Sequence, residues 1–399
     1  MASLWLLRRA LGQHGGREEN CDHSEVVDGT APDGLVAVGT EGGRVRLMDV
    51  ATGMVPLNEL GHTELITSVA LSAEFRVLAT ASRDRSVKVW DLSTGEEELH
   101  VPGHDGDGDC RCSMDKRGDC SMVHRACPVE GHSAAITAVC FRGDAQLLAT
   151  GGADRQVIVW SRTGEVEARL RGHSHGVHCV AFSPDGVLLA SGGSRTVHVW
   201  NVHSGEALHE IAMPPPFSVR TVLFSPDGGR IAGGSWEGLG FVWDLQNRGE
   251  MLSFEQRMTM MSLAFSPNGR VLASGGDFSI RLWDTASGRE LLCLLGHDPS
   301  NGCVCEQAFK GENECPRVGH RHAVLSLDFS HDGTALASGS EDGSLKLWDV
   351  REALSANPSA RRGGTLLCTV KVGMHVRGVR AGASSRKRAA DSAAIASAR

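Results

Sequence analysis

Short runs in which apolar and polar residues alternate recur along most of the chain: ITSVALS (66–72), ITAVCF (136–141), VHCVAF (177–182), VRTVLF (219–224), MSLAF (261–265) and VLSLDF (324–329). A period of two is the mark of a half-buried strand. Several of these runs lead into Ser-Pro-Asp-Gly or Ser-Pro-Asn-Gly, where proline presets the first corner of a turn and glycine or asparagine accepts the left-handed one. A second strand of small residues follows, as in VLATAS (77–82), LLATGG (147–152), LLASGG (188–193), IAGGS (231–235), VLASGG (271–276) and ALASGS (335–340). The third segment ends in tryptophan and a polar residue: VKVWD, VIVWS, VHVWN, FVWD, IRLWD and LKLWD. A weaker seventh copy, VRLMDVATG (45–53), carries Met48 where tryptophan is expected. Each unit therefore predicts strand, turn, strand, turn, strand ending in tryptophan, turn, strand.

Six of the eight tryptophans occupy this one position. A Gly-His pair precedes four of them, with 28 residues from His62 to Trp90, 28 from His132 to Trp160, 27 from His173 to Trp200 and 28 from His320 to Trp348. On these recurring features the chain resembles the WD-repeat (WD40) family over roughly residues 24–372. The resemblance implies an all-β fold, a β-propeller of four-stranded antiparallel blades around a central channel. Seven Trp-Asp-like ends predict seven blades. Such a unit exposes two apolar faces and gains stability only when neighbours cover them.

The resemblance also implies a hydrogen-bonded framework in each complete unit, joining the histidine, a strand hydroxyl, an aspartate of the next turn and the tryptophan ring nitrogen. Here the sets are His62, Thr80, Asp84 and Trp90; His132, Thr150, Asp154 and Trp160; and His320, Ser338, Asp342 and Trp348. They are read as structural and not catalytic. Unit four keeps His173, Ser191 and Trp200 but has Ser194 in place of the aspartate, and units five and six replace Gly-His by MPPPF (213–217) and FEQRM (254–258). Residues 1–23 form an N-terminal segment that is a candidate closing strand, TLLCTVKV (365–372) can supply the last outer strand, and 373–399 is an Ala/Ser/Arg-rich tail expected to be disordered.

Two units are swollen by insertions at one place in the repeat, residues 104–131 and 297–319. Both open on a histidine, continue with Cys-x-Cys, and end in Cys-Pro-x-x-Gly-His. The first supplies His104, Cys110, Cys112 and Cys127, the second His297, Cys303, Cys305 and Cys315. One imidazole and three thiolates complete a tetrahedral zinc site, whereas three cysteines leave one over after disulfide pairing. Structural zinc, disulfide or redox-variable thiols, and plain solvent-exposed loops all stand as readings. The acidic run DGDGD (105–109) does not meet the calcium-loop template, which requires glycine where Cys110 stands and glutamate where Lys116 stands.

In the family's geometry the inserts rise from one face of the disc. The turns between the second and third strands reach the same face with Arg83, Arg85, Arg155, Arg195, Trp236 and Phe278, the candidate partner-binding residues. Arginine and aromatic anchors concentrate binding energy.

Composition narrows the function. The 399 residues carry a formal net charge of -8, with 49 glycines and no tyrosine, a turn-rich β composition without the basic excess that a nucleic acid or an anionic membrane attracts. No apolar run is long enough to span a bilayer. The N-terminal MASLWLLRRALGQHGG lacks the charge order of a secretory signal, and the absence of acids before Glu18 keeps a transit peptide as an alternative. No phosphate-binding loop or His-Glu-x-x-His helix occurs, so no enzyme is expected.

The expected function is a non-catalytic scaffold or adaptor that holds proteins or peptides within a larger complex. Two alternatives are a metal- or redox-responsive binding module and a substrate-receptor subunit of a ubiquitin ligase. The expected compartment is the cytoplasm, with SRKR (385–388) as a nuclear address.

Overall fold

The computed structural model describes residues 35–39, 45–49, 53–55, 61–72, 76–103, 131–246, 249–256, 259–276, 278–294, 319–330, 332–351 and 365–371. All regular elements among the described residues are strands. Unit two contributes β4 (Ile66–Ser72), β5 (Val77–Ser82), β6 (Val87–Asp91) and β7 (Glu97–Val101). Unit three contributes β8 (Ile136–Phe141), β9 (Leu147–Gly152), β10 (Gln156–Ser161) and β11 (Val166–Arg171), and unit four β12 (Val177–Phe182), β13 (Leu188–Gly193), β14 (Thr196–Asn201) and β15 (Ala207–Ala212). Unit five follows with β16 (Val219–Phe224), β17 (Arg230–Ser235), β18 (Leu239–Asp244) and β19 (Gly249–Glu255), then unit six with β20 (Met260–Phe265), β21 (Val271–Gly276), β22 (Ile280–Asp284) and β23 (Glu290–Leu294). Unit seven closes the series with β24 (Val324–Phe329), β25 (Ala335–Ser340), β26 (Ser344–Asp349) and β27 (Thr365–Lys371).

Each of these six units is one four-stranded antiparallel sheet in sequence order, a propeller blade. The expectation of seven such blades is corrected to six. Unit one forms a three-stranded sheet of β1 (Leu35–Gly39), β2 (Val45–Asp49) and β3 (Gly53–Val55). Strand β1 packs against β4 as β5 packs against β8, so unit one supplies a blade's second, third and outer strands, with no inner strand among the described residues. A Met-Asp end alone does not make a blade. Met48 lacks the indole N–H that ties the third strand to the second in units two, three, four, six and seven. Residues 1–34 and 372–399, which include the candidate closing strand and the tail, lie outside the described residues.

The core lies between blades. In β10, Ile158 and Trp160 join Val101, Ile136 and Leu148 on the side of unit two, whereas Val157 and Val159 join Val177, Leu189 and Trp200 on the side of unit four. Alternating residues of one strand thus serve two different interfaces, which is why both parities are apolar there. The same relation joins units four to five, five to six and six to seven. Inner strands are also tied across blades: Thr67 donates its hydroxyl to Ile136 O, Thr137 to Val177 O, and the amides of Val139 and Leu327 donate to Ser68 Oγ and Ser262 Oγ at 3.2 and 3.0 Å. No helix among the described residues is long and apolar enough to cross a membrane.

Candidate interaction face

The three complete frameworks have one geometry. Thr150 Oγ1 lies 2.9 Å from Trp160 Nε1 and 2.8 Å from His132 Nε2, and His132 Nδ1 lies 2.8 Å from Asp154 Oδ2. The indole can only donate and the carboxylate can only accept, so the hydroxyl donates to Nε2 and the imidazole carries its proton on Nδ1. His62 repeats this with Thr80 at 2.8 Å and Asp84 at 3.1 Å, and His320 with Ser338 at 2.7 Å and Asp342 at 3.1 Å. Burial alone pushes the Asp84 and Asp342 carboxyls up, but the hydrogen bonds from His62 and Ser86, and from His320 and Ser344, hold both well below the usual carboxylate range. Each aspartate also accepts the amide that follows the histidine, from Thr63, Ser133 and Arg321. The framework therefore clamps the turn between the second and third strands onto the segment leading to the inner strand.

Three units depart from this set where the sequence lacks the aspartate or the Gly-His pair, and the structure shows what stands in their place. In unit six, Gln256 takes the histidine's place: Ser274 Oγ donates to Gln256 Oε1 at 2.9 Å and accepts the Trp283 ring N–H at 2.8 Å. The available signal was spacing, because Gln256 precedes Ser274 by 18 residues, as His62 precedes Thr80. In unit five no hydroxyl is present. Gly233 pairs with Phe241, whose ring stands where a side chain at 233 would go, and Trp243 Nε1 is buried without a hydrogen-bond partner among the described residues. In unit four, His173 bonds Ser191 at 2.7 Å but meets no carboxylate, and it packs edge-on against His198 with ring centroids 4.4 Å apart. Burial, then the neighbouring His198 and His178, pushes His173 down to about 3.

The clamped turns form one rim. Arg83, Arg155 and Arg195 are exposed on it, Arg85 and Phe278 are half-buried, and Trp236 is 43% exposed. The guanidinium of Arg220, from β16, lies 5.3 Å from the centre of the Trp236 ring, a cation–π contact absent from the sequence reading. Trp236 and Arg220 line a cavity of about 800 Å³ bounded by all six inner strands, the central channel; Phe278 is not among its lining residues. Glu341 lines it at the Trp236 end, and Pro226, in the turn between β16 and β17, at the other.

The described ends of the inserts lie on this rim. The first leaves after Gly103 and returns at Gly131, and these two glycines touch: a Cβ on Gly131 would stand 3.2 Å from Gly103 Cα, and one on Gly103 2.2 Å from the Arg85 Cβ. The second returns at His320, clamped by Asp342. The metal candidates His104, Cys110, Cys112, Cys127, His297, Cys303, Cys305 and Cys315 lie outside the described residues. Among the described residues no group of three or more His, Cys, Asp or Glu side chains could hold a metal ion.

The family profile described as "WD domain, G-beta repeat" matches residues 54–91, 124–161, 164–201, 213–244, 253–284 and 313–349. The chain belongs to the WD-repeat family. The six matches each contain the first three strands of one complete blade, and the first begins at residue 54, inside β3 of unit one. Among curated WD-repeat relatives, small ribosomal subunit protein RACK1z of Arabidopsis thaliana is 32% identical over 134 residues, 33% of this chain and 39% of that protein, so the chain spans about two fifths of that relative. Small ribosomal subunit protein RACK1y of Oryza sativa subsp. japonica is 30% identical over 314 residues, 73% of this chain and 76% of the relative. WD repeat and SOCS box-containing protein 1 of Homo sapiens is 31% identical over 267 residues, 63% and 57% of the two chains.

Proposed function

We propose that this WD-repeat protein is a non-catalytic interaction scaffold whose partners dock on the rim that carries the inserts. The observation that carries the reading is the exposed Trp236 ring, buttressed by Arg220 at the channel mouth on the rim where the first insert's neck is pinched shut. An exposed aromatic held by a cation beneath it is an ordered apolar anchor. The hydroxyl–imidazole–carboxylate sets resemble a hydrolase triad in composition, but Thr80, Thr150 and Ser338 are fully buried and their hydroxyls are already bonded on both sides. They brace the rim and have no room for a substrate.

The test is affinity purification of the intact chain beside a form lacking residues 104–131 and 297–319. Loss of the same partners from the shortened form, with its thermal transition preserved, supports the reading. Recovery of an unchanged partner set overturns it.

A second reading, a metal-responsive form of the same scaffold, is favoured by the doubled His and Cys spacing in the inserts. A neck that already brings Gly103 and Gly131 together removes much of the loop-closure cost of gathering four ligands. Elemental analysis of the purified chain should find one zinc per insert, and chelation should weaken partner binding. A metal-free chain that binds its partners normally removes this reading. The substrate-receptor alternative rests on similarity to the SOCS box-containing relative alone.

A further inference from the structure

Four of the six complete blades place the third residue after their second strand in the left-handed region. In units five and seven that residue is glycine, Gly238 at φ +90° and Gly343 at φ +74°. In units two and three it is arginine, Arg85 at φ +71° and Arg155 at φ +69°. A side chain is strained there, and glycine is the residue the backbone favours. Two adjacent blades thus carry the same long cation at a backbone position that favours glycine. Arg76 and Ala145 adopt the same region in the first hairpin turns of these two blades, so what distinguishes Arg85 and Arg155 is their surroundings.

Arg83 and Arg85 on unit two, Arg155 on unit three and Arg195 on unit four form an arc over three consecutive blades. Among the described residues Arg83, Arg155 and Arg195 make no ion pair. The acids between them face inward: the Asp84 and Asp154 side chains are 11% and 3% exposed and are held by His62 and His132. Unit four has no aspartate at all in this turn, only Ser194 beside Arg195. Trp236 stands on the next blade. Elsewhere on the rim, exposed Glu237 on unit five and Glu341 on unit seven carry the opposite sign and Arg321 the same one, while Asp342 is held inward by His320.

We infer that the arc of Arg83, Arg85, Arg155 and Arg195, ending at the Trp236 ring, is the docking surface for an acidic peptide segment that also carries an apolar side chain. The inference rests on the rim being the scaffold's binding face and names the partner chemistry. Guanidinium forks recognise carboxylates in pairs, and their spread over three blades suits an extended strand of chain. A protein of net charge -8 repels a long polyanion, which favours a short acidic segment over nucleic acid.

The test uses the full chain and a fluorescein-labelled peptide of Glu and Asp with a central Leu, beside the same peptide with Gln and Asn for the acids and a single-stranded oligonucleotide. The double variant Arg85→Gly, Arg155→Gly should keep or raise the melting temperature and weaken the acidic peptide by at least about tenfold, with a shallower salt dependence. Binding of the acidic peptide by the variant within about twofold of the parent, equal binding of the neutral peptide, or tighter binding of the oligonucleotide overturns the inference. The two proposals separate cleanly. If the insert-deleted form loses its partners while the double variant keeps them all and the peptide does not bind, the rim reading stands and the arginine arc falls. If the insert-deleted form loses none, the rim reading falls and the peptide titration still decides the arc.

Discussion

Gln256 accepts the Ser274 hydroxyl at 2.9 Å, and the same oxygen takes the ring N–H of Trp283 at 2.8 Å. An amide thus does in unit six what an imidazole does in units two, three and seven. The replacement is incomplete, because Gln256 Nε2 is buried without a partner among the described residues.

That asymmetry ranks two substitutions. Ser274→Ala strands both Gln256 Oε1 and Trp283 Nε1 and should cost about 2–6 kcal/mol, since each orphaned buried group costs on the order of 1–3 kcal/mol. Gln256→Ala leaves the Ser274–Trp283 bond intact and should cost less. Urea unfolding of the two variants checks the order.

Unit four should be the acid-sensitive blade. His173 is pushed down to about 3 in the folded protein, below the ordinary value near 6.5. The unfolded chain therefore takes up a proton that the native state refuses. The contribution of His173 is fully present above pH ~6.5 and is lost as pH falls toward about 3. Ser194→Asp supplies the missing carboxylate and should move the midpoint of acid unfolding to lower pH. An unchanged or higher midpoint contradicts this.

In unit five the apolar substitute resists repair by a single residue. A Cβ at Gly233 would stand 2.1 Å from Phe241 Cζ, so Gly233→Thr should destabilise by about 1–3 kcal/mol through overpacking. Adding Phe241→Ile copies the Thr150–Ile158 pair of unit three and offers Trp243 Nε1 a hydroxyl. The double variant should be more stable than the sum of its single changes, as a double-mutant cycle will measure.

Thiol chemistry should divide the chain. Burial pushes the Cys179 thiol up to about 12 and the Cys293 thiol up to about 11, so neither forms appreciable thiolate near neutral pH. Maleimide labelling of the native protein at neutral pH, mapped by mass spectrometry, should leave both unmodified until denaturant is added.

The strands, their turns and the four Gly-His spacings were legible because they depend on near neighbours: alternation sets a strand, and Pro-Asp-Gly sets a turn. The count of blades was not. Met48-Asp49 looks like a repeat end by position, yet a four-stranded blade needs an inner strand, and unit one shows none among its described residues. The role of Gln256 was legible only through its 18-residue spacing to Ser274, which a search for histidine passes over.

By itself the amino-acid order determined an all-β repeat, the hydroxyls and imidazoles that brace it, and two matched inserts at one point of the unit. Only the tertiary structure decided that Phe241 fills the space over Gly233, that Arg220 lies beneath Trp236, and that Arg85 and Arg155 sit in a conformation suited to glycine. The first group follows from chemistry between residues a few positions apart. The second depends on how strands settle against one another within and between blades, where shape and backbone twist choose the partner and the periodic pattern is silent.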